Sequence, residues 1–277
     1  MKNLLRLFQI EWLKNMSYKP VIVFLSIYFL FLLSFALICN QSIPFFGISI
    51  EIKEFNLLEF PQTWNFIFYI GALFKLFLGM VIMLTVTNEM SQKLVKQNII
   101  DGLSRSEYIL SKVITIVSLS FISTAILFLV GLYFGMNDSN NVVLKDVTKE
   151  LYFSFGYFLK LVNYLLLFFL IATLFRKGLI VLLVIFLLWV LEIVLRVVEF
   201  KFFSNQTDPS GFFFTDYLPL LNMSNLVDSP FERLQITQSL TNNTYVFEVP
   251  YSHIVVSFFY CFLCLFWIKN VLDKRNF

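Results

Sequence analysis

Charge is scarce in this chain. Only 14% of its 277 residues are Asp, Glu, Lys or Arg, against about 25% in an ordinary soluble domain. That shortage excludes a water-facing globular surface. The net charge of +3 excludes the basic stripe that holds a nucleic acid. There is one His, His253, with no second His and no Ser–His pair in a polar setting, so a hydrolase has nothing to be built from. The three Cys residues, Cys39, Cys261 and Cys264, give no disulfide framework. Cys261 and Cys264 lie in an apolar stretch, where a thiol is a small packing group rather than a metal ligand. No Gly-x-x-x-x-Gly-Lys-[Ser/Thr] phosphate loop occurs, so the chain does not bind ATP in that way.

Apolar residues fill the space instead, at 58% of the chain with 36 Phe. A soluble fold of this length cannot hide so many rings, but lipid accepts them on the outside of a helix bundle. Six apolar runs stand out, at 20–39, 64–86, 113–134, 151–175, 178–200 and 249–268. Twenty helical residues span roughly 30 Å, the thickness of the hydrocarbon layer. The expected fold is all-α, a single polytopic transmembrane domain of six helices over 1–277. The first run has no small-residue cleavage site and reads as a retained helix. The fourth and fifth are separated only by Arg176 and Lys177, which predicts a tight antiparallel hairpin.

Lys and Arg set the expected orientation. With the N-terminus inside, the inner segments carry thirteen of them and the outer segments five, so both termini are predicted to be cytoplasmic. Residues 1–17 place Leu5, Phe8 and Trp12 on one stripe, with Lys2, Arg6, Glu11 and Lys14 off it. This predicts a helix lying in the inner interface, basic groups toward anionic head groups. The outer loop, 201–248, holds Phe202, Phe203, Phe212, Phe213, Phe214 and the run 217–221. It is too apolar to be simply solvated, so short helices are expected to pack there on the mouth of the bundle.

Charges inside the spans need partners, because an unpaired Lys at the bilayer centre costs about 2.5–3.5 kcal/mol. Lys75 is central in the second span, with Gly71 and Gly79 four residues to either side, a stripe that admits close helix approach. Lys160 lies in the fourth span. Glu192 and Arg196 form an i, i+4 pair in the fifth, in the favoured order. Glu192 is expected to reach Arg196, and Lys75 or Lys160. These four groups read either as the lining of a transport pathway or dimer seam, or as ion pairs that lock the bundle.

The segment 88–112, between the second and third spans, is the most structured connection. The second helix is expected to continue to about Ile100, and Gly102 to end it in the left-handed conformation. Ser104 and Glu107 have the spacing of a capping box that opens the next helix. The result is a helical elbow projecting beyond the membrane. A plain inner loop that happens to be well capped is the alternative.

These residues carry a resemblance. Glu89 after the second span, followed by the run from Asp101 and Gly102 through Ser104, Arg105, Glu107 and Tyr108 to Lys112, resembles the signature of ABC-2-type transporter permeases, in which Gly-x-Ser-Arg-x-x-[Tyr/Phe]-x-x-x-Lys leads into the third span. Leu94 departs from the small polar residue expected at its position. The resemblance implies a permease subunit of an ABC exporter in the inner (cytoplasmic) membrane. It further implies pairing with a second permease copy or paralogue, on two separate cytoplasmic ATP-binding subunits. Those subunits would hold ATP and Mg, so the permease itself is not an enzyme. Glu89, Asp101, Gly102, Ser104, Arg105, Glu107 and Lys112 then belong to the elbow that couples to the ATPase. A non-transporting membrane scaffold for a cytoplasmic partner is the competing reading.

Overall fold

The computed structural model describes residues 2–38, 43–45, 48–50, 57–138, 144–203, 213–230 and 249–274. Cys39, Phe212 and most of the 201–248 loop, from 204 to 212 and from 231 to 248, lie outside the described residues. The described chain is helical apart from one short antiparallel hairpin, β1 (Ile43–Phe45) and β2 (Ile48–Ile50), with Ile43 opposite Ile50. The helices are α1 (Lys2–Ser17), α2 (Lys19–Ile38), α3 (Gln62–Leu73), α4 (Lys75–Ser91), α5 (Leu94–Ile100), α6 (Arg105–Asp138), α7 (Leu144–Lys149), α8 (Tyr152–Phe175), α9 (Gly178–Phe203), α10 (Pro219–Ser224) and α11 (Tyr251–Asp273). A 3₁₀ turn, Phe214–Tyr217, precedes α10.

Four helices, α6, α8, α9 and α11, are long and apolar enough to cross a membrane. The number rises to six if each of two bent pairs counts as one span: α1 with α2, bent by 90°, and α3 with α4, bent by 42°. The chain is thus a helical membrane-embedded protein.

The centre of the bundle is α8. Its most apolar window is 72% buried, against 17% for α9 and for α11. It packs on α3, α4, α6, α9 and α11, and Phe153, Tyr157, Leu161, Leu165, Phe168 and Phe169 are all fully buried. Lipid is as apolar as a Leu side chain, so this burial is driven by packing contacts rather than by release of water. Close approach therefore matters. Gly79 lets α4 meet the Phe168 ring, which would lie 2.6 Å from a Cβ at that position. By contrast, α9 and α11 show Leu, Phe, Val and Trp outward, as lipid-facing helices do.

Polar contacts sort the helix ends to two faces of the bundle. On one face, α1, α5, the start of α6, the α8–α9 link and the end of α11 come together. Lys14 there meets Glu89, Ser91 donates to the Arg176 carbonyl, and Arg105 reaches Asp273. On the other face, Trp64 donates through Nε1 to the Val147 carbonyl at 2.8 Å, and Asn65 to the Asp228 carbonyl at 3.2 Å.

Two expectations are corrected. The second predicted span is not one helix: at Phe74 the ladder tightens, its amide reaching back three residues to Gly71 at 3.2 Å. Nor does that helix run on to Ile100. It stops at Ser91, and Lys93 takes a left-handed φ of 57° before α5 begins. In α1, whose placement in the interface these contacts do not test, the buried stripe is Leu7, Glu11 and Asn15. Phe8 stacks on Trp12, with ring centroids 6.1 Å apart, and Trp12 is exposed. The apolar side of α1 turns out toward where lipid would be, while Glu11 turns in.

Candidate functional site

The elbow is built from two fixed helix ends. Helix α5 closes at Asp101 and Gly102. Gly102 has a φ of 97°, its amide donates to Ile99 at 3.1 Å, and the Leu103 amide donates to Asn98 at 2.9 Å. This pair of bonds is the left-handed stop that glycine makes without steric penalty. Two residues later the capping box closes. The Ser104 amide donates to Glu107 Oε2 at 2.8 Å, and the Glu107 amide donates to Ser104 Oγ at 3.2 Å. Arg105 is engaged within the chain: its Nη1 donates to the Asp273 carbonyl at 2.7 Å, at the C-terminal end of α11. A basic side chain there also complements the helix dipole.

Two turns further along α6, Lys112 is buried in an ionic cluster. Its Nζ donates to Glu11 Oε2 at 2.7 Å and to Glu89 Oε1 at 2.9 Å. Lys14 lies 3.6 Å from Glu89 and 4.0 Å from Glu11. Ser111 donates to Glu11 at 3.1 Å, and the Tyr108 ring covers the ammonium at 5.6 Å. Two cations and two carboxylates thus join α1, α4 and α6, and their charges sum to zero. A neutral, hydrogen-bonded cluster avoids the penalty of a lone buried ion. Beside it, a cleft of about 370 Å³ opens between α1, α5 and α6, lined by Arg6, Glu11, Lys14, Asn98, Asp101 and Glu107 among others.

The charges within the spans do not pair as expected. Glu192 is buried, yet it does not reach Arg196. It accepts the Leu220 amide at 3.1 Å and the Leu221 amide at 2.8 Å, at the start of α10. Arg196 pairs instead with Asp216 at 3.3 Å. Lys160, also buried, donates to the carbonyls of Ser224 at 3.2 Å and Val227 at 3.4 Å, at the far end of the same short helix. Glu199 accepts the amides of Phe214 at 2.7 Å and Thr215 at 2.9 Å. The short helices expected in the loop are therefore present on the bundle face, and side chains of α8 and α9 cap them. His253, the one His of the chain, is buried. Its Nδ1 bonds Asn222 Oδ1 at 2.7 Å, and its ring stacks on Tyr217. Lys75 stands apart from all of these. Its one close polar contact among the described residues is the face of the Tyr164 ring, 4.7 Å away.

Sequence reasoning missed Glu11 as a partner of Lys112. A signal was available, because Leu7, Glu11 and Asn15 recur every four residues and mark one buried stripe. It also missed the buried hydroxyl cluster of Tyr28, Ser123 and Tyr157, in which Ser123 and Tyr157 lie 2.9 Å apart. Those three residues, on α2, α6 and α8, carry no local signal. No protein-family model, curated protein or solved structure matches this chain.

Proposed function

We propose that the chain is the membrane-spanning permease subunit of an ATP-driven transporter of the ABC-2 type. It would work as an exporter and pair with a second permease and two separate ATP-hydrolysing subunits. The observation that carries this reading is the elbow. Residues 101–112 fit the permease signature, and the same residues are held by the left-handed stop at Gly102, the Ser104–Glu107 box and the Lys112 cluster. A connection with no mechanical task has no use for two fixed helix ends and a four-charge lock to α1. Such a lock lets a push on the elbow move α1, α4 and α6 as a unit.

Six passes accompany the reading, counting each bent pair once. The face that carries the elbow also carries the excess of Lys and Arg, so it is the cytoplasmic face and both termini lie there. The cleft between α1, α5 and α6 would be the seat of the ATPase contact, and Asp101 and Glu107 on its rim give that contact an acidic edge.

The test is co-purification. The full chain, expressed with a candidate ATP-binding subunit from the same host, is expected to retain it through detergent extraction and to alter its ATP hydrolysis. Recovery of the chain without any ATP-hydrolysing protein would favour the scaffold reading. Topology is checked with single Cys at positions 2, 145 and 274, in a background lacking Cys39, Cys261 and Cys264. An impermeant reagent applied from outside is expected to label only position 145.

A further inference from the structure

A cavity of about 350 Å³ opens between the break in α3–α4, the middle of α8 and α9, and the start of α10. Its walls are Leu182, Ile185, Phe186 and Trp189 on one side and Leu73 and Leu76 on the other. Phe186, Trp189, Leu73 and Leu76 are themselves exposed on the lipid-facing side, so the cavity is open laterally to the acyl chains. Lys75 and Glu192 reach the same space. Their states differ. Glu192 is already occupied by the amides of Leu220 and Leu221. Lys75 has the Tyr164 ring beneath its ammonium and no carboxylate partner among the described residues.

Position along the membrane narrows the occupant. The 12 residues of α3 lie on one side of Lys75 and the rest of α4 on the other, which puts the ammonium near mid-depth. A structural lipid keeps its head group at the interface. A head group held at mid-depth belongs to a molecule in passage, and broken helices at this depth are where transported anions are held.

We propose that this cavity binds a single-chain amphiphile with an acidic head, the acid on Lys75 and the chain along Phe186 and Trp189. The proposal rests on the transport reading and names its substrate class. Positive charge inside an apolar, laterally open wall selects an acid over a neutral lipid, and the cavity volume admits one chain.

The test is photolabelling of the purified full-length chain in phosphatidylcholine nanodiscs with a diazirine-bearing palmitic acid, against the matching alcohol. The acid is expected to label peptides of α9 and α10 and to be competed by palmitate, with the alcohol labelling far less. Lys75→Met is expected to cut labelling about tenfold or more, the size of a lost charge-assisted contact, while Lys75→Arg keeps it. Leu182→Trp, which fills the cavity from α9 and leaves the ammonium in place, is expected to cut it as well. Equal labelling by the alcohol, labelling unchanged in Lys75→Met and Leu182→Trp, or labelling confined to helices that do not line the cavity would overturn the proposal. No ATPase is present in this experiment, so failure here speaks to the cavity alone, whereas co-purification tests the permease reading.

Discussion

At the elbow face, Lys112 is buried against two carboxylates. At the opposite face, Glu192 and Lys160 are buried against the two ends of a six-residue helix. Both arrangements neutralise a charge held away from water, but they do different jobs. The ionic cluster ties three long helices to one another. The backbone caps hold α10, which is too short to persist alone. Pro219 supplies no amide at its first position, and the next two amides go to Glu192. Among the described residues Lys75 has neither kind of partner, and the binding role proposed for it rests on that. A charge locked to charge makes a rigid joint, a charge locked to backbone ends makes a local clamp, and a charge left with an aromatic face is open to a ligand.

The largest effect is expected where charge meets charge. Lys112→Met leaves Glu11 and Glu89 facing each other with only Lys14 nearby. Removing one member of a buried pair typically destabilises by about 3–5 kcal/mol. Loss of a monodisperse peak in detergent is expected, with partial recovery when Glu89→Gln is added. Equal damage from the single and double variants would show that the cluster is not acting as a charge pair. A smaller effect is expected at the clamp. Glu192→Ala strands two amides, for about 1–3 kcal/mol, and hydrogen exchange should rise at 218–224 while the long helices stay protected. Exchange rising evenly through the bundle would erase the distinction between clamp and joint.

The elbow's own stops come next. Gly102→Ala forces an L-residue into the left-handed region, for about 1–2 kcal/mol, and Ser104→Ala removes an N-cap, for about 0.5–2 kcal/mol. Both should insert at normal levels yet show faster proteolysis between 93 and 105. Arg105→Ala is expected to be the mildest for stability, at most about 1 kcal/mol, because its pair with Asp273 is half exposed. A collapse of expression in Arg105→Ala would mean that the α6–α11 contact carries more of the fold than its exposure suggests.

Much of this architecture is written locally. Long uncharged runs mark the helices, the three-residue spacing of Ser104 and Glu107 marks their box, and Gly102 marks the stop before it. The helix breaks at Phe74 and Lys93 carry no Pro or Gly at the break itself, so periodicity runs straight through them. Pairings across the fold are hidden for a different reason. Local spacing favours Glu192 with Arg196, but a helix end in a water-poor setting leaves amides that need an acceptor, and the buried carboxylate goes to them. Glu11 and Lys112 lie about a hundred residues apart, and only the packing of α1 on α6 brings them together. In α1 the apolar stripe was legible but the burial of Glu11 on another side was not, because in a membrane the apolar side of a helix can face lipid and the polar side can face protein.

The most direct measurement compares wild type with the Ser104→Ala/Glu107→Ala double variant, each co-expressed with a candidate ATP-binding subunit and reconstituted in liposomes. A coupling elbow predicts normal insertion of the variant, weaker retention of the ATPase, and ATP hydrolysis that no longer responds to the permease. Full retention with an unchanged hydrolysis response would contradict it and leave the segment as a well-capped connection in a membrane scaffold.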